Sequence, residues 1–241
     1  MRKEWRRRTA ASLLACLLLA ACARSEKKPA PPVEEPVCLL TGFEPFGGLE
    51  TNPSYEMLKP LAGRTIGGHR IEIAQLPVVY DEVATALNAA LEKHKPRIVV
   101  CFGVGTPVVQ VERVASNGYH PLRPKDNKGK PPPREEIIPG GRAEIPTQLP
   151  APEVLRALKA GSIGAADSRH AGGYLCNECF YRLMSLEPKG AAAGIKLRGF
   201  VHVPPVGQAD PEGGAYTLEK LTQATRLIVE EAAKAAAARG P

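Results

Sequence analysis

A cysteine follows a glycine pair in the stretch HAGGYLCNE, residues 170–178, where a helix is predicted to begin. At a helix start the macrodipole stabilises a thiolate, and the free backbone N–H groups of the first turn can face an oxyanion. Cys176 is therefore a candidate nucleophile. A cysteine on an apolar helix is more often a packed core residue, so the sequence context of Cys176 leaves both roles open.

A second cysteine, Cys179, lies three residues after Cys176 and raises two alternatives. Redox pairs of the thioredoxin type usually enclose Gly-Pro or Pro-His, whereas this pair encloses Asn-Glu. A zinc site would require a second CxxC or a pair of histidines, and the sequence offers neither. Redox chemistry and metal binding are therefore less favoured than a nucleophile or a core thiol, and we expect no metal and no cofactor.

A cysteine nucleophile needs a general base, and the chain has five histidines: His69, His94, His120, His170 and His202. His202 ends a predicted strand in GFVHVPP, and functional groups of open α/β sheets gather at the carboxyl ends of strands. His170 is close to Cys176 in sequence and remains a competing candidate. The sequence therefore favours His202 as the base without excluding His170.

An acid that could orient the base is found in VVQVERVASN. Glu112 is the only acid within this otherwise apolar strand pattern. A lone buried carboxylate is energetically costly, so Glu112 is expected to have a partner. That partner could be a histidine or a group in the neighbourhood of Arg113.

The elements that must position these groups alternate along the chain. Short apolar runs such as VCLL, RIVVCFG and RGFVHVP predict buried strands, and amphipathic stretches such as DEVATALNAALEKHK, with Asp81 as its N-cap, predict helices. This alternation predicts an α/β fold: a single-domain, three-layer α/β/α sandwich around a largely parallel, twisted sheet. Residues 117–150 lack a regular pattern, and a segment of that length is typical of a functional or mobile loop.

The charge of the chain is unevenly distributed. The formal net charge is +7, but removing residues 1–21 leaves a net charge of +3. The sequence after residue 21 contains no stripe of lysine and arginine with interleaved aromatic residues, so no nucleic-acid partner is expected.

The N-terminus has the features of a secretion signal. MRKEWRRR is a basic segment, and the following 13 uncharged residues are too few for a membrane-spanning helix. The run ends in Leu-Ala-Ala before Cys22, which resembles a bacterial lipobox. The alternative is an ordinary secretory signal. We expect a lipoprotein signal peptide at 1–21, lipidation at Cys22, a proline-rich tether at 22–36 and a catalytic domain at 37–241.

Five separate blocks, LLTGFEPFGG, TNPS, VERVASN, HAGGYLCN and GFVHVPP, together resemble the type I pyroglutamyl peptidases in order and approximate spacing. The resemblance covers the chain from residue 37 to about residue 238. It implies an α/β/α sandwich and a cysteine exopeptidase that removes N-terminal pyroglutamate from peptides. By resemblance, Cys176 matches the nucleophile, His202 the general base and Glu112 the acid that orients the histidine.

The same resemblance implies a set of substrate-binding residues. Phe43 and Phe46 in GFEPFGG match the aromatic residues that hold the pyrrolidone ring. Asn52 in TNPS matches a residue that shapes the site, and Arg123 matches a loop arginine near it. An uncharged lactam requires an apolar pocket with one or two hydrogen bonds, which two phenylalanines beside a glycine-rich turn can provide.

Departures from the family pattern concern specificity and location. Val104 stands where many bacterial members have glutamine, and His170 stands where aspartate or threonine is more usual. Family members are typically cytoplasmic, whereas this chain is expected to be extracytoplasmic and lipid-anchored, at an outer membrane or the periplasmic face of a bacterial membrane. The family also makes a homo-oligomer possible. A surface-tethered member with altered specificity, or one that has lost turnover and acts as a binding protein, is the alternative function.

Overall fold

The computed structural model describes residues 35–240. Nine strands lie in this part of the chain: β1 Val37–Phe43, β2 Thr65–Ile66, β3 His69–Leu76, β4 Ile98–Val104, β5 Val109–Glu112, β6 Val114–Ser116, β7 Glu144–Pro146, β8 Ala165–Ser168 and β9 Leu197–Val203. The α-helices in the same part are α1 Pro53–Glu56, α2 Glu82–His94, α3 Ala151–Ala160, α4 Leu175–Ser185 and α5 Leu218–Ala237. Short 3-10 turns occur at Lys59–Leu61 and Gly190–Ala192.

Seven strands form the central sheet, in the order β2-β3-β1-β4-β9-β5-β8. Four adjacent strands, β3, β1, β4 and β9, are parallel to one another. Strand β5 runs antiparallel to β9, and β2 runs antiparallel to β3. The sheet is therefore mostly parallel, and its central strands consist of nearly continuous apolar residues because helices cover both of their faces.

Two apolar clusters lie on opposite faces of this sheet. Helices α2 and α4 pack on one face, with side chains such as Leu87 and Phe180 against Val99. Helices α1, α3 and α5 pack on the other face, where Leu158 and Ile228 belong to the second cluster. The expected single-domain, three-layer α/β/α sandwich is confirmed. No helix within residues 35–240 combines the length and the apolar character needed to cross a bilayer.

Asp81 occupies the expected N-cap position of α2, but its side chain does not cap the helix. Asp81 has φ of 60°, a left-handed conformation, and its side chain makes no capping hydrogen bond. Its carboxylate instead pairs with two arginines, Arg134 of the 117–150 segment and Arg182 of α4, the latter at 2.6 Å. These ion pairs determine the orientation of Asp81, and a sequence pattern around α2 alone contains no sign of them.

The pattern PVVQVERVA predicts one strand but forms two. Strand β5 belongs to the central sheet, whereas β6 pairs with β7 in a separate two-stranded sheet. The break is at Arg113, whose guanidinium forms an ion pair with Asp167 at 2.9 Å. The break allows the chain to leave the central sheet directly after Glu112 and to continue into the 117–150 segment.

The 117–150 segment contains little regular structure beyond β7, as expected, but hydrogen bonds fix it to the rest of the domain. The Asn117 carboxamide accepts from the N–H of Ile138 at 2.9 Å and donates to its carbonyl at 2.8 Å. The Tyr181 hydroxyl of α4 donates to the carbonyl of Arg142 at 2.6 Å. The two Asn117 bonds join distant parts of the segment, and the Tyr181 bond ties the segment to α4, the helix that contains Cys176.

Candidate active site

Cys176 occupies the first turn of α4. The residue before the helix, Tyr174, provides no side-chain cap, and the first helical hydrogen bond runs from the N–H of Glu178 to the carbonyl of Tyr174. Within residues 35–240, no acceptor takes the N–H groups of Cys176 and Asn177. Unpaired N–H groups at a helix start favour an anion, so this turn can stabilise both a thiolate and an oxyanion.

The side chain of Asn177 fixes this turn to the neighbouring strand β6. Its carboxamide oxygen accepts from the N–H of Ser116 at 3.1 Å, and its nitrogen donates to the carbonyls of Ser116 and Gly118 at 2.8 and 3.0 Å. Asn177 is completely buried. This positioning residue was missed in the sequence reasoning, although a polar residue directly after the candidate nucleophile on an apolar helix was an available signal.

His202 and Glu112 meet across the sheet, as the sequence suggested. His202 stands near the carboxyl end of β9 and Glu112 ends β5, and the two strands are neighbours. The His202 Nδ1 atom lies 2.8 Å from Glu112 Oε1. Both side chains are buried, Glu112 completely. The carboxylate therefore holds the imidazole in one orientation and leaves Nε2 for the Cys176 side.

The charges around His202 favour its protonated form. Burial penalises the imidazolium, but the Cys176 sulfur and the Glu112 carboxylate outweigh this effect and raise the pKa of His202 to about 10. At neutral pH the imidazole is therefore protonated beside the Cys176 sulfur. A cysteine paired with an imidazolium is the arrangement that cysteine hydrolases use.

Gly103, in β4, provides the space that the nucleophile occupies. A Cβ atom built on Gly103 would lie 2.6 Å from the Cys176 Sγ atom and 3.4 Å from His202 Cδ2. Gly103 and His202 are also directly paired in register between β4 and β9. Only glycine leaves room for the sulfur next to the imidazole, and the glycine that closes a buried strand was the signal available in the sequence.

Cys176 and His202 open into a cavity of about 410 Å³. The other lining residues are mainly apolar or small and include Phe43, Phe46, Val78, Val104, Gly105 and Leu175. A cavity of this size and character fits a small uncharged group. Another cavity, of about 370 Å³ beside β7 and α3, has no cysteine or histidine in its lining. The nucleophilic chemistry therefore belongs to the first cavity.

The residues expected to bind substrate differ in whether they line the cavity and in what their side chains contact. Phe43 and Phe46 line the cavity, as expected. Asn52 also lines it, but its carboxamide accepts from Ser54 and donates to a main-chain carbonyl, so it positions the chain at the start of α1. Arg123 is not among the described residues that line the cavity. It is exposed, and its guanidinium donates to main-chain carbonyls of the 117–150 segment.

Three further cysteines within residues 35–240, Cys38, Cys101 and Cys179, are buried and free. The hydrogen bond to Cys101, together with burial, raises the pKa of Cys179 well above its usual range. His170 lines the mouth of the cavity. The His94 Nδ1 atom lies 3.4 Å from Glu72 Oε2, and His94 does not line the cavity. Among residues 35–240, no three histidine, cysteine or acidic side chains group as a metal site would require.

Comparison with known proteins gives a consistent result. Residues 37–235 match the pyroglutamyl peptidase family. The chain is 41% identical over 168 residues to a pyrrolidone-carboxylate peptidase of Gloeobacter violaceus, covering 69% of this chain and 80% of that one. It is 36% identical over 193 residues to the corresponding protein of Bacillus licheniformis, covering 78% and 88% of the two chains.

Solved structures show the same fold. The pyroglutamyl peptidase I of Bacillus amyloliquefaciens superposes with a TM-score of 0.74 at 36% identity, covering 83% of this chain and 95% of that one. The pyrrolidone carboxyl peptidase of Pyrococcus furiosus gives a TM-score of 0.72 at 33% identity, covering 82% and 98%. The likeness therefore extends over nearly the whole of these structures.

Proposed function

Because this chain belongs to the pyroglutamyl peptidase family, we propose that it is a cysteine exopeptidase that removes N-terminal pyroglutamate from peptides. Cys176 is the nucleophile, His202 the general base and Glu112 the acid that orients His202. The observation that best supports this assignment is the 2.8 Å contact between His202 and Glu112 beside Cys176, in an apolar cavity.

The geometry accounts for both halves of the reaction. The Cys176 thiolate attacks the pyroglutamyl carbonyl, a C–S bond forms, and the oxyanion faces the free N–H groups at the start of α4. The His202 imidazolium then protonates the leaving amine as the C–N bond breaks. A water molecule, deprotonated by His202, hydrolyses the thioester and releases pyroglutamic acid and the free thiol.

The cavity suits the chemistry of pyroglutamate. Its lactam carries no charge, unlike the ammonium of an ordinary N-terminus. Phe43 and Phe46 provide apolar contact for the ring, and no acidic residue is among the described residues that line the cavity. A charged N-terminus would lose its hydration there without gaining a counter-ion, so an uncharged ring is the favoured occupant.

The decisive experiment is hydrolysis of a pyroglutamyl fluorogenic substrate by the purified domain. Cys176→Ser should abolish turnover and keep the fold, because a hydroxyl is far less nucleophilic than a thiolate. Cys179→Ala is the matched control and should keep most of the activity. Equal loss in both variants would favour a paired-cysteine mechanism. Absence of turnover in the folded wild type would favour the alternative of a binding protein.

We also propose that Cys22 is lipidated and anchors the domain to a bacterial membrane outside the cytoplasm, at an outer membrane or a periplasmic face. The support comes from the sequence alone, since Cys22 and residues 1–34 lie outside the described residues. Acyl chains would then provide the membrane affinity. Cys22→Ala should leave an unprocessed or soluble protein, whereas wild type recovered wholly in the cytoplasmic fraction would contradict the anchor and not the enzymatic function.

Assembly into a homo-oligomer is a further proposal that rests on family resemblance. Light scattering on the purified domain measures its mass directly and compares it with the mass of one chain. A strictly monomeric enzyme with full activity would contradict this proposal.

A further inference from the structure

The cavity that contains Cys176 offers few polar groups to a substrate. Six of its lining residues carry polar side chains: Asn52, Thr106, His170, Tyr174, Cys176 and His202. Two of these, Cys176 and His202, are assigned to the reaction itself. The other four determine which polar groups of a bound peptide can be recognised by side chains.

Three of these four already donate a hydrogen bond within the protein. The Asn52 amide donates to a main-chain carbonyl at 2.9 Å, the Thr106 hydroxyl to another at 2.7 Å and the Tyr174 hydroxyl to a third at 3.0 Å. The imidazole of His170 makes no hydrogen bond with any of residues 35–240, since only the main-chain atoms of His170 do so. Gly105 and His170 are the exposed lining residues, and of these two only His170 has a side chain that can donate to a substrate.

The position of His170 determines which part of the substrate it can reach. Phe43, Val78 and Leu175 form the buried part of the cavity, whereas Gly105 and His170 are its exposed lining residues. A pyroglutamyl ring in the buried part has its carbonyl at Cys176, so the rest of the peptide leaves past the exposed rim. His170 therefore lies on the side of the residue that follows pyroglutamate.

The backbone of His170 is held in place. Its N–H donates to the Ser168 hydroxyl at 3.1 Å, and its carbonyl accepts from the same hydroxyl at 3.3 Å. The adjacent residue, Arg169, is exposed but lines the other cavity, beside β7 and α3. A free donor on an anchored backbone favours an acceptor, and a charged acceptor gives the stronger hydrogen bond.

We propose that His170 is a specificity-determining residue that contacts the residue after pyroglutamate and favours an acidic side chain there. This inference rests on the proposed pyroglutamyl peptidase function. The imidazole donates to the carboxylate of the substrate. The preferred substrates are then peptides that begin with pyroglutamate followed by glutamate or aspartate.

The test compares kcat/KM for three peptides that differ only after pyroglutamate, where they carry glutamate, glutamine or lysine. For the wild type we expect glutamate to exceed glutamine by about threefold to tenfold, the size of a partly exposed charge interaction, with lysine slowest. His170→Asn should remove the preference for glutamate over glutamine. His170→Asp should invert the order and favour lysine, an inversion that a merely structural role would not produce.

Arg169→Gln is the matched control, because Arg169 is the neighbour of His170 but lines the other cavity. If Arg169→Gln removes the preference and His170→Asn retains it, or if the wild type shows no preference, the proposal is wrong. The pyroglutamyl-glutamine peptide reports the proposed function independently. Failure to cleave any of the three peptides would contradict that function, whereas equal cleavage of all three would contradict only the role of His170.

Discussion

The Cys176 sulfur occupies the volume that any side chain on Gly103 would need. A Cβ at Gly103 would lie 2.6 Å from Sγ and 3.0 Å from the ring of Phe200, which itself packs against His202 with ring centroids 5.0 Å apart. Neither the strand nor the ring can yield easily, because both are in the packed centre of the sheet. Two features therefore fix the position of the Cys176 sulfur: the start of α4, and the absence of a side chain at Gly103 in β4.

Gly103→Ala should lower kcat by about 100-fold or more, because displacing a reacting atom by about 1 Å from its working geometry costs that much. The residue has an ordinary backbone conformation, so alanine adds no backbone strain, and its severest clash is with the Cys176 sulfur. The rate of Cys176 alkylation by iodoacetamide should fall in parallel. Gly194→Ala is the matched control, since nothing lies within 4 Å of its added Cβ. Equal activity of the two variants would show that the sulfur moves without consequence.

Glu112→Gln should move the titration of His202 to lower pH. In the wild type the pKa of His202 is raised to about 10, so the imidazolium persists at neutral pH and is lost as the pH rises toward that value. Removing the carboxylate removes one of the charges that raise this pKa. An NMR titration of the His202 ring measures the shift directly, with Cys176→Ser reporting the contribution of the sulfur. An unchanged titration in Glu112→Gln would contradict the pairing.

The same shift affects stability. Protonation of His202 stabilises the folded state fully below its unfolded pKa of about 6.5, and this contribution is lost as the pH rises from there to about 10. In Glu112→Gln the stability contributed by the protonated His202 should already be lost at a lower pH than in the wild type. Urea unfolding of both proteins at pH 6, 8 and 10 checks this. A free energy of unfolding with the same pH dependence in both would count against the coupling.

His202→Leu should destabilise the domain by about 3–5 kcal/mol, because it leaves the completely buried Glu112 carboxylate without its partner. Cys176→Ser, which leaves that pair intact, should change the free energy of unfolding far less. The double variant with Glu112→Leu should recover much of the loss, since it removes the stranded carboxylate. Failure of the double variant to recover would mean that packing around His202, and not the carboxylate, causes the loss.

Phe46→Ala should lower kcat/KM for pyroglutamyl substrates, because Phe46 lines the apolar part of the cavity. The wild type should prefer pyroglutamyl over prolyl N-termini on the order of a thousandfold, since desolvating the prolyl ammonium without a partner costs several kcal/mol. The measurement is kcat/KM on matched pyroglutamyl and prolyl substrates for both proteins. Equal use of both substrates by the wild type would mean that the cavity does not bind the ring as described.

The sequence determined the layered fold because alternating apolar strands and amphipathic helices have few other ways to bury both faces of a sheet. It also indicated the candidate catalytic residues, since a cysteine at a helix start, a histidine at a strand end and an acid in an apolar strand can each be recognised from local context. The resemblance of five separate motifs to one family then indicated that the three candidates act together in one site.

Only the tertiary structure decided the distances and the roles that depend on distant partners. Asp81 occupies the expected N-cap position of α2, but its side chain pairs with Arg134 and Arg182, which are remote in sequence. Arg123 was expected near the site, yet its guanidinium is used by main-chain carbonyls of its own segment. The physical reason is that local pattern fixes which elements form, whereas the partners of a long polar side chain are chosen by packing between elements.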